Sequence, residues 1–226
     1  EVMKTNQELK NAALAALKGK WTPSVMATLV LFAGMMIPII LALVVEGIVD
    51  PSLESETMSV WSILVLYGFV FLLYYPLSMV GYYNAFKDLL RDDEGKVVSN
   101  MFTGTFKTYP RALGLSLLYM IFVFLWTLLL YIPGLIKALA YMMAPYILKD
   151  HPELSPNQAL NLSIKMMKGH KFDLFCLLLS FIGWSFLAMF TMGIGYLWLA
   201  PYMATTIAAF YEDVKAEYEG RQQIAA

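Results

Sequence analysis

"ALGLSLLYMIFVFLWTLLLYIPGLIKALAYMMAPYILKD", residues 112–150, carries one charged side chain, Lys137, before Lys149. Crossing a hydrocarbon core of roughly 30 Å takes about 20 apolar helical residues. Residues 112–131 satisfy that alone. Pro133-Gly134 then read as a turn, and 134–148 as a return limb. That limb would rise only about 22 Å, so it crosses if the bilayer thins or flanking side chains snorkel. A re-entrant path is the other option. Either way the block needs an apolar solvent.

The rest of the chain agrees. Of 226 residues, 59% are apolar and 15% charged, against about 25% charged in a soluble domain. Mean hydropathy is +0.62. A net charge of −1 gives no bulk attraction for nucleic acid. The one cysteine, Cys176, excludes an intrachain disulfide and a cysteine-based zinc cage. Glu1-Val2 before Met3 read as a non-native extension. Residues 23–45 are too long for a signal-peptide core of about 7–15 residues and read as a retained first span.

Further spans are expected at 60–85, 172–192 and 194–211, six in all. With both termini inside, the cytoplasmic segments would hold 15 of the 16 Lys and Arg, Lys137 being the exception. The outer loop 46–59 has no basic residue and carries Glu46, Asp50, Glu54 and Glu56. Removing 134–148 as a span would put the basic segment 149–171 outside, so six spans are favoured. The fold class is therefore an all-α membrane protein: six transmembrane helices as three hairpins, with cytoplasmic amphipathic helices.

The inner segments resemble one another. Thr5-Asn-Gln-Glu8 and Ser155-Pro-Asn-Gln158 are capping boxes, each followed at the same distance by Lys-Gly, at Gly19 and Gly169. Asn11 and Asn161 also coincide. Leu160, Ile164 and Met167 form one apolar stripe, nearly matched by Leu9, Ala13 and Leu17, as in helices lying at a membrane interface. The even spans end alike, in "AFKD" (85–88), "ILKD" (147–150) and "AFYED" (209–213). Gly134 aligns with Gly195, and Tyr141-Met142 with Tyr202-Met203. Approximate repeats over 5–90, 97–150 and 155–213 follow, forming a single integral membrane domain; "VVSNMFTGTFKTYPR" is the most divergent segment.

Four motifs, "ELKNAALAALKGKW", "IPGLIKALAYMMAPYIL", "ELSPNQALNLSIKMMKGHKFDLFCLLLSFIGW" and "GIGYLWLAPYMATTIAAFYEDV", resemble a family of bacterial integral membrane proteins, domain of unknown function 975. The resemblance spans essentially the whole chain. It implies a multi-pass protein of the bacterial cytoplasmic (inner) membrane and assigns no activity. A looser similarity to membrane domains attached to glycerophosphodiester phosphodiesterases implies lipid handling.

Catalytic constellations are not evident. HExxH, Walker A, GxGxxG and GxSxG do not occur. His151 and His170 sit in an inner loop, with Pro152 between His151 and Glu153. No catalytic residue, metal or cofactor is expected, and paired methionines read as core filler. The spans carry no buried carboxylate of the proton-relay type. Trp21, Trp61, Tyr109, Tyr131, Trp198 and Tyr211 read as headgroup anchors. Pro145 and Pro201 each free a helical carbonyl within a span, followed by Tyr146 and Tyr202. Freed carbonyls need protein or a cavity around them, so a polar cavity between spans four and six is expected, near Tyr141 as well. The bland alternative is a pair of kinks closed by neighbouring hydroxyls. Lys137, about 4.5 Å past the turn, either snorkels or receives an anionic headgroup.

The expected function is non-enzymatic binding or movement of a lipid or amphiphile. A small-solute transporter or channel is one alternative, and a structural or regulatory subunit of a membrane complex another. Membrane lipids are the expected partners, with room for a homo-oligomer or a partner membrane protein.

Overall fold

The computed structural model describes residues 3–49, 59–91, 95–129 and 131–225. Glu1-Val2 and residues 50–58 of the outer loop, with Asp50, Glu54 and Glu56, lie outside the described residues. The described residues are helical and contain no strand.

Four helical stretches are long and apolar enough to cross a membrane: Trp21–Ile48, Val60–Leu90, Tyr109–Leu128 and Lys171–Phe190. The first follows α1 (Asn6–Leu17) and is α2 (Trp21–Val49). The second runs through α3 (Val60–Phe69), two π-helical segments, Val70–Tyr74 and Leu77–Tyr82, and α4 (Tyr83–Leu90). Pro76 lies between the two π segments; it lacks the N–H an α-helix would use there, and the ladder widens around it. After α5 (Val97–Phe106), α6 (Tyr109–Leu129) is the third. The fourth breaks at Ser180-Phe181 into α10 (Lys171–Leu179) and α11 (Ile182–Phe190).

The return limbs differ from these four. Residues 134–148 divide into α7 (Tyr131–Tyr141) and α8 (Ala144–Asp150), each short of a span by itself. The break falls just before Pro145, which cannot donate to Tyr141 and is tolerated in a first turn. Of residues 194–211, all but the first two belong to α12 (Tyr196–Ala225), whose charged C-terminal half lowers its mean hydropathy. The inner parts of both limbs are buried by protein. Tyr146, Ile147, Ala208, Phe210 and Tyr211 are almost fully enclosed. The four apolar stretches instead present Leu43, Leu128, Phe172 and Phe190 outward; Leu128 and Phe190 are 73% and 72% exposed. A surface so apolar requires apolar surroundings, which suggests a membrane protein.

Three short helices pack on α4, α8 and α12. Thr5 and Ser155 head capping boxes on α1 and α9 (Pro156–Met166): Thr5 N donates to Glu8 (2.7 Å), and Ser155 N donates to Gln158 (2.8 Å). Gly19 and Gly169 follow with φ of +78° and +100°. The apolar stripes do not lie against lipid as the amphipathic reading implied. Leu9, Ala13 and Leu17 are buried, with α1 packed on α12 and α4, and Leu160 and Met167 are buried likewise. The divergent segment is helix α5, packed on the second π segment and α4. Asn100 and Lys107 stand seven residues apart in and after it, as do Asn11 and Lys18, and Asn161 and Lys168. Thus α1 lies on α12, α5 on α4, and α9 on α8.

Glycine sets two hairpin contacts. A Cβ at Gly134 would meet the Thr127 backbone at 2.8 Å, and one at Gly195 would meet Ala188 Cα at 2.9 Å. Each partner is seven residues earlier, so both return limbs touch their incoming helices in one register.

Candidate functional site

Two features occupy the interior. The first is an ionic hub where the ends of α4 and α8 meet the middle of α12. Asp150, 7% exposed, forms a buried ion pair with Lys87, whose side chain is fully enclosed. Arg91 donates to both Asp150 oxygens, at 3.1 and 2.9 Å. Lys215 Nζ and the Tyr211 hydroxyl each donate to Oδ2 at 2.9 Å. Lys149 pairs with Asp88, and Arg91 with Glu212 at 2.8 Å. Burial disfavours the Asp150 charge, but hydrogen bonds from Arg91, Lys87 and Lys215 hold its carboxyl well below the usual carboxylate range. A carboxylate has about four lone-pair positions. All are engaged, so Asp150 acts as a tie between helix ends.

The sequence carried a signal for this hub. Most of its members lie in the endings "AFKD", "ILKD" and "AFYED", whose cross-pairings join residues 61 to 63 apart, with Arg91 and Lys215 just beyond them. In the sequence the endings show only that the even spans end alike, because no periodicity reports which helices meet there. Tyr211 is accordingly no headgroup anchor: it is fully buried and bonded to Asp150.

The second feature is a cavity of about 380 Å³ among α2, the second π segment, α4, α6, α8 and α12. Tyr75, Tyr82, Tyr83 and Tyr119 line it with Ser78 and Pro145. Its wall includes Phe32, 42% exposed, so it reaches the apolar surface. Tyr82 is held by its hydroxyl against that of Thr28 at 2.7 Å. The lining has hydroxyls and apolar groups but no charged side chain. Such a wall suits an amphiphile's apolar body with one hydrogen-bonding group.

The expected site residues are distributed around this centre. Pro145 lines the cavity; Tyr146 lies behind it, stacked on Tyr211 at 4.9 Å and edge-on to Tyr83 at 6.3 Å. Tyr141 packs on Tyr119 and Phe122. Pro201 is buried, its carbonyl accepting from Thr205 Oγ1 (2.7 Å). Tyr202 lines a different groove. Lys137 lies over the Trp126 ring, 4.6 Å from its centre. One cavity therefore does not gather all six.

Much of the break before α8 is closed by side chains. Ser163 Oγ donates to Ala140 O (2.7 Å), and Asn84 Nδ2 donates to Pro145 O (2.8 Å). Asn84 Oδ1 and the Tyr146 hydroxyl are buried without a hydrogen-bond partner. The cavity's tyrosines come largely from the second helical stretch, which the sequence reading missed. Tyr75, Ser78, Met79, Tyr82 and Tyr83 stand at i, i+3, i+4, i+7 and i+8, one helical face, and that spacing is the signal the sequence offers for them.

No curated protein and no solved structure matches the chain. A family model described as "Protein of unknown function (DUF975)" matches residues 127–218, from Thr127 in α6 to Tyr218 in α12, and bears out the family resemblance read from the sequence over that part of the chain.

Proposed function

We propose that this protein binds or moves a lipid or other amphiphile within the membrane without chemically altering it. The tyrosine-lined cavity carries the reading: it is large enough for part of an acyl chain, reaches the apolar surface and offers hydroxyls but no charge. Its lining contains no nucleophile with an adjacent base. In this proposal the chain crosses the bacterial inner membrane six times, with α7–α8 and α12 as the inner spans and both termini cytoplasmic. The 15-of-16 basic bias supports that arrangement.

The test is mass spectrometry of lipids retained by the full chain purified from native membranes. One class should be enriched over its share of bulk lipid. Ala200→Phe, which fills the cavity wall, should remove most of that enrichment while the protein stays folded. Retention identical to bulk lipid, or unchanged in Ala200→Phe, would refute the reading.

A further inference from the structure

A second groove, of about 460 Å³, lies on another face, where α1 and the start of α2 meet α11 and α12. Trp21, Trp184 and Trp198, three of the chain's five tryptophans, line it with Leu14, Leu187 and Tyr202. Trp184, Leu187 and Trp198 are exposed, so the groove opens outward.

Lys10 lies beside the groove, joined to its wall through Phe181. It stands one helical turn before Leu14 on the same face of α1. Its Nζ lies 4.4 Å from the centre of the Phe181 ring and donates to Ser180 O at 3.2 Å. Phe181 in turn packs edge-on against Tyr202, 5.3 Å between ring centres. An ammonium has three N–H donors, and the Ser180 carbonyl takes one. Among the described residues no carboxylate pairs with Lys10, although Lys4, Lys87, Lys149 and Lys215 all have one. Burial lowers the proton affinity of Lys10 with no acid to offset it. Lys18, exposed, caps the C-terminus of the same helix.

We infer that this groove binds an anionic phospholipid, its phosphate on Lys10 and one acyl chain along the tryptophans. A phosphate supplies the counter-charge that Lys10 lacks, and the membrane supplies the ligand beside the open wall. Zwitterionic lipids fit less well, because their own cation would sit near Lys10. A second copy of the chain would bring an apolar face to the tryptophans but no anion to Lys10. The inference is independent of the tyrosine cavity, which none of the tryptophans lines.

Tryptophan fluorescence decides it. The full chain is reconstituted in phosphatidylcholine vesicles, and quenching by acyl-brominated phosphatidylglycerol is compared with that by acyl-brominated phosphatidylcholine. Phosphatidylglycerol should quench at a roughly fivefold lower mole fraction, the effect of about one lysine at a membrane surface. Lys10→Gln should bring the two curves together. Lys10→Arg, and Lys168→Gln on an exposed lysine elsewhere, should keep them apart. Coincident curves for the unaltered protein would overturn the inference whether or not Lys10→Gln folds. So would a preference that survives Lys10→Gln. Ala200→Phe should leave the preference intact, so failure here is separable from failure of the cavity reading.

Discussion

Asp150 is where the ends of α4 and α8 and the middle of α12 become one structure. Removing its charge leaves Lys87 enclosed without a counter-ion, and breaking a buried pair costs about 3–5 kcal/mol. Asp150→Asn should therefore lower the thermal midpoint in detergent sharply, whereas Lys87→Met with Asp150→Leu should cost much less. A double-mutant cycle read by thermal unfolding checks both. The pH dependence follows from the depressed carboxyl. Its stabilising effect is complete above about pH 4, the ordinary Asp value, and declines as pH falls below that toward the lower native value. Asp150→Asn should lack that acid-side loss. Lys137 belongs to the opposite case. Its contact with Trp126 is of the kind worth about 0.5–1 kcal/mol, so Lys137→Leu should barely move the thermal midpoint. Loss of retained lipid in that variant would instead point to a headgroup contact.

At the scale of elements, close helix contacts turn on single glycines. A Cβ at Gly81 would fall 2.4 Å from Met101 O and 2.1 Å from Thr105 Oγ1. Gly81→Ala should therefore push α5 from the second π segment and destabilise by about 1–3 kcal/mol. Thr105→Ala should not rescue it, since the Met101 carbonyl remains. Gly104, also in α5, faces open space, and Gly104→Ala should stabilise by about 0.5–1 kcal/mol. Thermal unfolding of the three proteins separates a packing contact from backbone propensity. The helix starts at Thr5 and Ser155 and the stops at Gly19 and Gly169 were legible because capping chemistry is local. The break at 142–143 and the π turns were not, because a proline permits several local repairs and the neighbours choose among them.

For the whole molecule, the six-span proposal places Lys18 and Lys168 on one side and Met192 on the other. With Cys176→Ser as background, single cysteines at Lys18→Cys and Lys168→Cys should react only with reagent supplied from the cytoplasm. Met192→Cys, at a turn residue 95% exposed, should react only from outside. Labelling of Lys168→Cys and Met192→Cys from one side would sink the proposal. The need for an apolar solvent, the all-helical class, the helix caps and the side bias of basic residues were all readable from the chain, because each depends on composition or on neighbours within a turn or two. Only the tertiary structure decided that α8 and α12 form the interior, that their endings converge on Asp150, and that the tyrosines of the second stretch gather around a cavity. Those outcomes depend on which surfaces meet across some 60 residues of sequence. A linear pattern records how apolar a face is, but not which face covers it.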